Sequence, residues 1–306
     1  DISNVIPIIA LYAFAGYRLM PALQQIYVSL TQLRIAVPSL NAIHDDLISL
    51  KPKVQEKEKN TLELNKNISL NHIYYQYPNA SRTALKDISL SIPARSTVGL
   101  VGATGSGKTT TVDIILSLLE AQEGTLEVDS MIVNKYNRRA WQRSIGYVPQ
   151  QIFLADDTVA ANIAFGIEIN DIDLEAVEQA AKIANLHEFV INELPLKYET
   201  TIGERGVRLS GGQRQRIGIA RALYHKPRVL ILDEATSALD NLTEQAVMEA
   251  VDNLKNDITI ILIAHRLTTV KKCDKIFLFD KGKLEGQGTF EELVKISDNF
   301  RASAKN

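Results

Sequence analysis

The chain has 306 residues, 45% of them hydrophobic and 23% charged, which excludes bulk disorder and allows one large domain with an appendage or two modest ones. Lys and Arg number 34 against 36 Asp and Glu, a formal net charge of -2, so no basic excess marks a nucleic-acid partner. One cysteine, Cys273, excludes a disulfide framework and a cysteine-rich metal site, and reads as a buried small hydrophobe.

The chain opens at Asp1 rather than Met, as a piece of a longer protein would, and no basic region precedes its first apolar stretch. From Val5 to Leu33 the only charged residue is Arg18. Arg18 splits this segment into two uncharged runs, each short of the ~20 residues of a membrane span, whereas the two joined suffice. Ile26, Leu30, Leu33, Val37, Leu40 and Leu47 then form one apolar stripe at helical spacing. Pro21 and Pro38 are expected to kink or interrupt that helix. Residues 1–50 therefore read as a membrane helix running on into the cytosol. A packing helix of a soluble protein is the alternative. Residues 51–64 begin with the charged run KPKVQEKEKN and read as a linker.

The main domain is expected over 65–306. Residues 68–77 and 86–92 alternate apolar and polar, as half-buried strands do. Arg95–Val101 is a short apolar strand running into a glycine-rich turn, and a helix is expected over Lys108–Ala121. Asp173 caps an amphipathic helix reaching Leu186. The near-continuous apolar runs 228–232 and 258–264 read as strands buried on both faces of a parallel sheet, with helices at 213–225 and 242–255. Thr289 and Glu292 offer a capping box for a last helix. Strands alternating with helices give an α/β fold: a parallel-sheet core, an antiparallel β portion toward the N-terminus and a helical subdomain at about 150–222.

Three motifs carry the chemistry. Gly102-Ala-Thr-Gly-Ser-Gly-Lys-Thr109 matches the P-loop pattern between a strand and a helix. Its glycines let backbone N–H groups curl around phosphate oxygens, the helix directs its positive end at the same anion, Lys108 reaches the β- and γ-phosphates, and the Thr109 hydroxyl ligates Mg²⁺. The strand Val229–Leu232 leads to Asp233, placed for the metal shell, and Glu234, placed to orient or deprotonate the attacking water. Leu209-Ser-Gly-Gly-Gln213 opens a helix. Ser210 with the N–H groups of Gly211 and Gly212 makes a second phosphate-binding surface. One γ-phosphate does not need two such surfaces in one chain, so the second serves another subunit.

In this order the P-loop, LSGGQ and LILDE resemble the ATP-binding cassette (ABC) family over about residues 65–300. The resemblance implies a P-loop NTPase (RecA-like) fold, ATP and Mg²⁺ as cofactors, and an ATPase working as a homodimer with a second copy of the same domain. It assigns nucleotide contacts to Gly102, Thr104, Gly105, Ser106, Gly107, Lys108, Thr109, Thr110, Ser210, Gly211, Gly212 and Gln213. Tyr77 resembles the aromatic that stacks on adenine. Gln150, ending Tyr147-Val-Pro-Gln, resembles the glutamine that senses Mg²⁺, which it would share with Thr109 and Asp233. Asp240 ends a loop resembling the one that crosses the dimer interface, and His265 resembles the switch histidine at the γ-phosphate. Glu234, His265, Lys108 and Gln150 are then the catalytic set.

Thr201-Ile-Gly-Glu-Arg-Gly206 resembles the coupling loop of ABC exporters. The resemblance implies a half-transporter partnered with a transmembrane domain in the inner membrane, residues 1–50 being the C-terminal part of that domain, with its ATPase on the cytoplasmic side and no nucleic acid. The stretch Gly16–Pro21 resembles bacterial flippases of lipid-linked oligosaccharides, so a lipid or lipid-linked saccharide is the implied cargo. The alternative is a soluble ABC ATPase of DNA repair or translation. Against it stand the apolar N-terminus, the single cassette and the absence of a heptad pattern between Lys108 and Ser210.

Overall fold

The computed structural model describes residues 2–49, 61–78, 80–234, 245, 248–250, 254, 257–264, 267–297 and 300–301. It divides into two units, Asp1–Glu58 and Lys59–Asn306. The linker expected over 51–64 falls outside the described residues up to position 60.

The first unit is one helix, α1 (Ile2–Ser49). Within Val5–Ile48 an 18-residue stretch reaches a mean hydropathy of 1.5, and the apolar side chains are exposed, so the helix is long and apolar enough to cross a membrane. Forty-eight residues at helical rise span about 70 Å, more than twice the ~30 Å of a bilayer core. The expected interruption at Pro21 and Pro38 does not occur, and Pro7 lies inside the helix as well. Each proline forfeits one backbone bond, while the unbroken turns on either side keep theirs.

The second unit holds two sheets. β1 (Asn67–Tyr75), β2 (Leu85–Pro93), β4 (Glu123–Val128) and β5 (Met131–Ile132) form an antiparallel sheet in the order β2-β1-β4-β5. Ile68, Leu70 and Ile73 pair with Ile92, Leu90 and Ile88. All six are buried, so the alternating pattern sets the register.

The larger sheet contains β3 (Thr97–Gly102), β6 (Ile145–Val148), β7 (Val229–Asp233), β8 (Thr259–Ile263), β9 (Lys275–Asp280) and β10 (Lys283–Gly288), in the order β10-β9-β3-β8-β7-β6. All neighbours run parallel except β9 and β10, which pair as a hairpin through Lys281 and Gly282. β7 and β8 are buried at every position, as their apolar runs require. Val229 and Ile231 feed one core with Ile114 and Ile115, and Leu230 and Leu232 feed the other with Ile217 and Ile219. A fully buried Ile or Leu contributes about 1.5–3 kcal/mol.

α2 (Lys108–Ile115) follows β3 and ends earlier than the expected Ala121. Trp141, fully buried in α3 (Arg138–Arg143), donates its indole N–H to the Ile115 carbonyl at 2.6 Å. Gln142 donates to the Leu116 and Ser117 carbonyls, and Ser117 takes a left-handed φ of 54°. Tertiary partners thus satisfy carbonyls that a longer helix would have satisfied internally.

The helical portion contains α4 (Val159–Ile163), α5 (Leu174–Ile183), α6 (His187–Glu193) and α7 (Gly211–Tyr224). Asp173 caps α5, accepting from the Glu175 and Ala176 N–H groups. Arg221 of α7 donates to the Asn162 and Phe153 carbonyls and stacks on Phe165, which ties α7 to α4. The short α8 (Leu267–Val270) and α9 (Phe290–Ile296) complete the unit, and the capping box of Thr289 and Glu292 opens α9. Most of the helix expected over 242–255 lies outside the described residues, although Gln245 and residues 248–250 are helical.

Candidate active site

The turn from β3 to α2 shows why this loop needs glycine. Gly102 has φ 147°, and a Cβ there would collide with the Phe279 backbone oxygen and meet Ser106 Oγ at 2.8 Å. At Gly107, with φ 107°, a Cβ would press on Leu85 Cδ2 at 2.8 Å. The loop is therefore wedged between β9 and the start of β2.

Two observations test whether a phosphate chain fits. Ser106 Oγ is buried and has no hydrogen-bond partner, although the Ser106 backbone donates to Ala103 and accepts from Gly282. An orphaned buried hydroxyl inside a glycine cradle suits a phosphate oxygen. Lys108, only 5% exposed, donates Nζ to the Gly102 and Ala103 carbonyls at 2.8 and 3.1 Å. Burial lowers its pKa, opposed by the charges of Glu234 and Asp233. A buried ammonium held by neutral carbonyls has much to gain from a phosphate. The residues fit the group.

Thr109 is exposed at the head of α2, and Thr104 and Gly105 are exposed at the crown of the loop. Thr110, buried one position on, shares a 3.2 Å hydrogen bond with the Tyr77 hydroxyl. Tyr77 stands edge-on to Tyr75, ring centres 5.0 Å apart, and is 41% exposed. An open aromatic face is thus held beside the loop.

Across the sheet, β7 ends at Asp233, 7% exposed. Burial raises its pKa first and the Glu234 charge adds to this, while a hydrogen bond from Tyr147 and the Lys108 charge oppose them. Glu234 turns out of the strand with a left-handed φ of 50°. Its N–H donates to the Ile263 carbonyl at 3.1 Å and its carbonyl accepts from Gln215 Nε2 at 3.4 Å. Its side chain accepts from Gln150 Nε2 at 2.8 Å. Because the Gln150 amide nitrogen is taken by Glu234, its oxygen is the atom left for a cation. An oxygen set of Thr109, Gln150 and Asp233 suits Mg²⁺.

The third motif opens α7. Ser210 Oγ accepts from the Gln213 N–H, and Gln213 Oε1 accepts from the Ser210 N–H at 2.8 Å, a complete capping box. The box occupies two backbone donors and leaves those of Gly211 and Gly212, with the Ser210 hydroxyl proton, as the donors of this helix end. The Gln213 side chain is thus engaged with its own helix start. Asp240 and His265 lie outside the described residues.

Sequence reasoning passed over two side chains at this site. Tyr147 was noticed only as part of its motif, although the alternation of Ile145–Val148 sets it on the same face as Asp233. Gln215, which reaches the Glu234 carbonyl, had no sequence signal beyond lying one helical turn past Gly211.

A glycine cradle between a parallel strand and a helix, facing a buried aspartate at the end of a second strand, defines a P-loop nucleotide-binding domain. The model of the ABC transporter family matches residues 85–237, half of the chain, and the chain belongs to that family as a carrier of its ATP-binding domain. It is 39% identical to an uncharacterized ABC transporter ATP-binding protein, YfiB, of Bacillus subtilis, over 82% of this chain and 44% of that protein. It is 35% identical to a putative multidrug export ATP-binding/permease protein, YgaD, of the same organism, over 98% and 52%. With an ATP-dependent lipid A-core flippase of Saccharophagus degradans the identity is 44%, over 74% and 38%. A solved bacterial Atm1-family ABC exporter with ATP bound superposes with a TM-score of 0.78 at 30% identity, covering 88% of this chain and 47% of that one. The chain spans about half the length of the curated relatives it matches. The soluble ATPase alternative finds no support among these relatives.

Proposed function

We propose that this chain is the ATP-hydrolysing part of a membrane exporter or flippase, working as an ATP-closed homodimer. The observation that carries the reading is the Gln150–Glu234 hydrogen bond beside buried Asp233. It brings the residue read as metal-sensing and the carboxylate read as water-orienting together at the ends of neighbouring strands.

ATP binds with adenine on Tyr77 and its phosphates among residues 102–110, where Ser106 Oγ and the Lys108 ammonium supply donors. Thr109, Gln150 and Asp233 would hold Mg²⁺, which when bound would supply neutralising charge to the phosphates. Glu234 holds the attacking water and accepts its proton, and His265 contacts the γ-phosphate. The partner copy presents Ser210, Gly211 and Gly212 to that phosphate, with Gln213 beside them, and Asp240 lies at the crossing between copies. ATP thus favours the closed dimer because it is bound on both sides, and hydrolysis releases it.

Residues 1–50 belong to the transmembrane domain with which the cassette works, with 51–64 as linker and 65–306 as cassette. The length and apolar surface of α1 support this. The cassette then lies on the cytoplasmic side of the inner membrane. The relatives named for export and lipid A flipping favour outward movement of a lipid or lipid-linked saccharide.

The test is the oligomeric state of Glu234→Gln with and without Mg·ATP, beside phosphate release by the unaltered chain. Dimers that form only with ATP, together with lost turnover in the variant, support the reading. A variant that stays monomeric while the unaltered chain hydrolyses ATP would sink the dimer mechanism.

A further inference from the structure

We propose that Tyr147 is a positioning residue for Asp233: its hydroxyl orients the carboxylate that receives the divalent cation. The proposal rests on the metal reading of Asp233 given above and adds a residue to it.

The sheet register makes the contact. β6 and β7 are parallel neighbours, and Tyr147 lies opposite Ile231. Side chains alternate along β7, so Ile231 and Asp233 share the face that carries Val112 and Ile115. Asp233 is thus the same-face diagonal neighbour of Tyr147, within reach of an aromatic side chain. The hydroxyl donates to Asp233 Oδ2 at 3.4 Å. Among the described residues it is the side chain that donates to this carboxylate.

A phenol suits this task better than the alternatives. Even an ordinary phenol, with a pKa of about 10, stays a donor at any physiological pH. It orients the carboxylate without neutralising it, whereas a lysine there would cancel the charge that attracts the metal. Residues that hold a metal-binding group in place typically change metal affinity 10- to 100-fold when removed.

The test is Tyr147→Phe in the full chain in detergent, with binding of a fluorescent ATP analogue titrated against Mg²⁺ and measured separately in EDTA. The Mg²⁺ concentration for half-maximal effect is expected to rise about tenfold. Metal-free nucleotide affinity and melting temperature are expected to stay put, because the ring and its packing remain. Tyr136→Phe, which removes the hydroxyl of an 83% exposed tyrosine, is expected to change none of these. An unchanged Mg²⁺ half-point in Tyr147→Phe, or an equal fall in metal-free affinity, would overturn the role of Tyr147 alone. An unaltered chain that binds nucleotide without any response to Mg²⁺ would overturn the metal reading and this proposal with it.

Discussion

Gln150 donates its amide N–H to Glu234 Oε2 at 2.8 Å, joining residues 84 positions apart in the chain. Gln150 follows the end of β6 and Glu234 follows the end of β7, and these strands are hydrogen-bonded neighbours. The bond therefore ties the two strand ends together and sets which atom of the glutamine amide remains for a cation.

Glu234→Gln keeps an acceptor for Gln150, because the amide oxygen can replace the carboxylate oxygen, and removes the basic group. Turnover is expected to fall about 10²- to 10⁴-fold with nucleotide binding retained. Phosphate release beside equilibrium binding of a fluorescent ATP analogue measures both. Turnover within threefold of the unaltered chain would rule out Glu234 as the base.

Lys108→Met preserves the length of the buried stem and deletes the charge. Loss of about 2–3 kcal/mol of charged hydrogen bonding predicts roughly 30- to 150-fold weaker ATP binding. Isothermal titration with ATP reads this directly, and an unchanged affinity would remove Lys108 from the phosphate site.

Gly102→Ala places a methyl group against the Phe279 carbonyl and the Ser106 hydroxyl at a φ of 147°. The P-loop or β9 must shift, at a cost of about 2–4 kcal/mol. Chemical denaturation should show this loss even without nucleotide. A stability equal to that of the unaltered chain would mean that the loop yields more easily than its wedged position implies.

Asp129 anchors the first strand from outside the active site. Its Oδ2 accepts from the Asn65 N–H at 2.7 Å, and its Oδ1 from those of Lys66 and Asn67 at 2.7 and 3.0 Å. Burial alone would raise this carboxyl, but the three backbone bonds and the nearby Lys66 charge outweigh it and hold the pKa below 3.8. The folded value lies below the unfolded one, so this stabilisation is complete above about pH 4 and is lost as pH falls through the folded value. Asp129→Asn, which turns an amide toward a backbone donor, should cost about 1–2 kcal/mol at pH 7. The gap between variant and unaltered chain should narrow below pH 4, as read from urea midpoints at each pH. A gap that stays constant would mean that the carboxylate charge is not what holds the strand.

Much was legible in the sequence because the evidence was local. A P-loop needs its glycines, lysine and threonine at fixed spacing, and Gly102–Thr109 declare it within eight positions. The runs 229–233 and 259–263 are apolar at nearly every position, which only a strand covered on both faces tolerates. Asp173 and Thr289 declare their helix starts because a cap is read a few residues from where it acts. The hairpin of β9 and β10 escaped notice. Lys275–Asp280 is a short apolar run without period, and the signal joining it to β10 is Lys281-Gly282, a weak turn dipeptide beside Asn-Gly or Asp-Gly.

The sequence by itself determined the phosphate loop, the buried strands and the helix-opening LSGGQ, since each follows from residue types at short fixed spacing. Tertiary structure decided where α2 stops, because the groups that satisfy its end belong to Trp141 and Gln142. It also decided that Gln150 meets Glu234 and that Tyr147 meets Asp233, since those distances depend on which strands become neighbours. Strand order is settled by the packing of two cores against opposite faces of one sheet, and no short stretch of residues contains it.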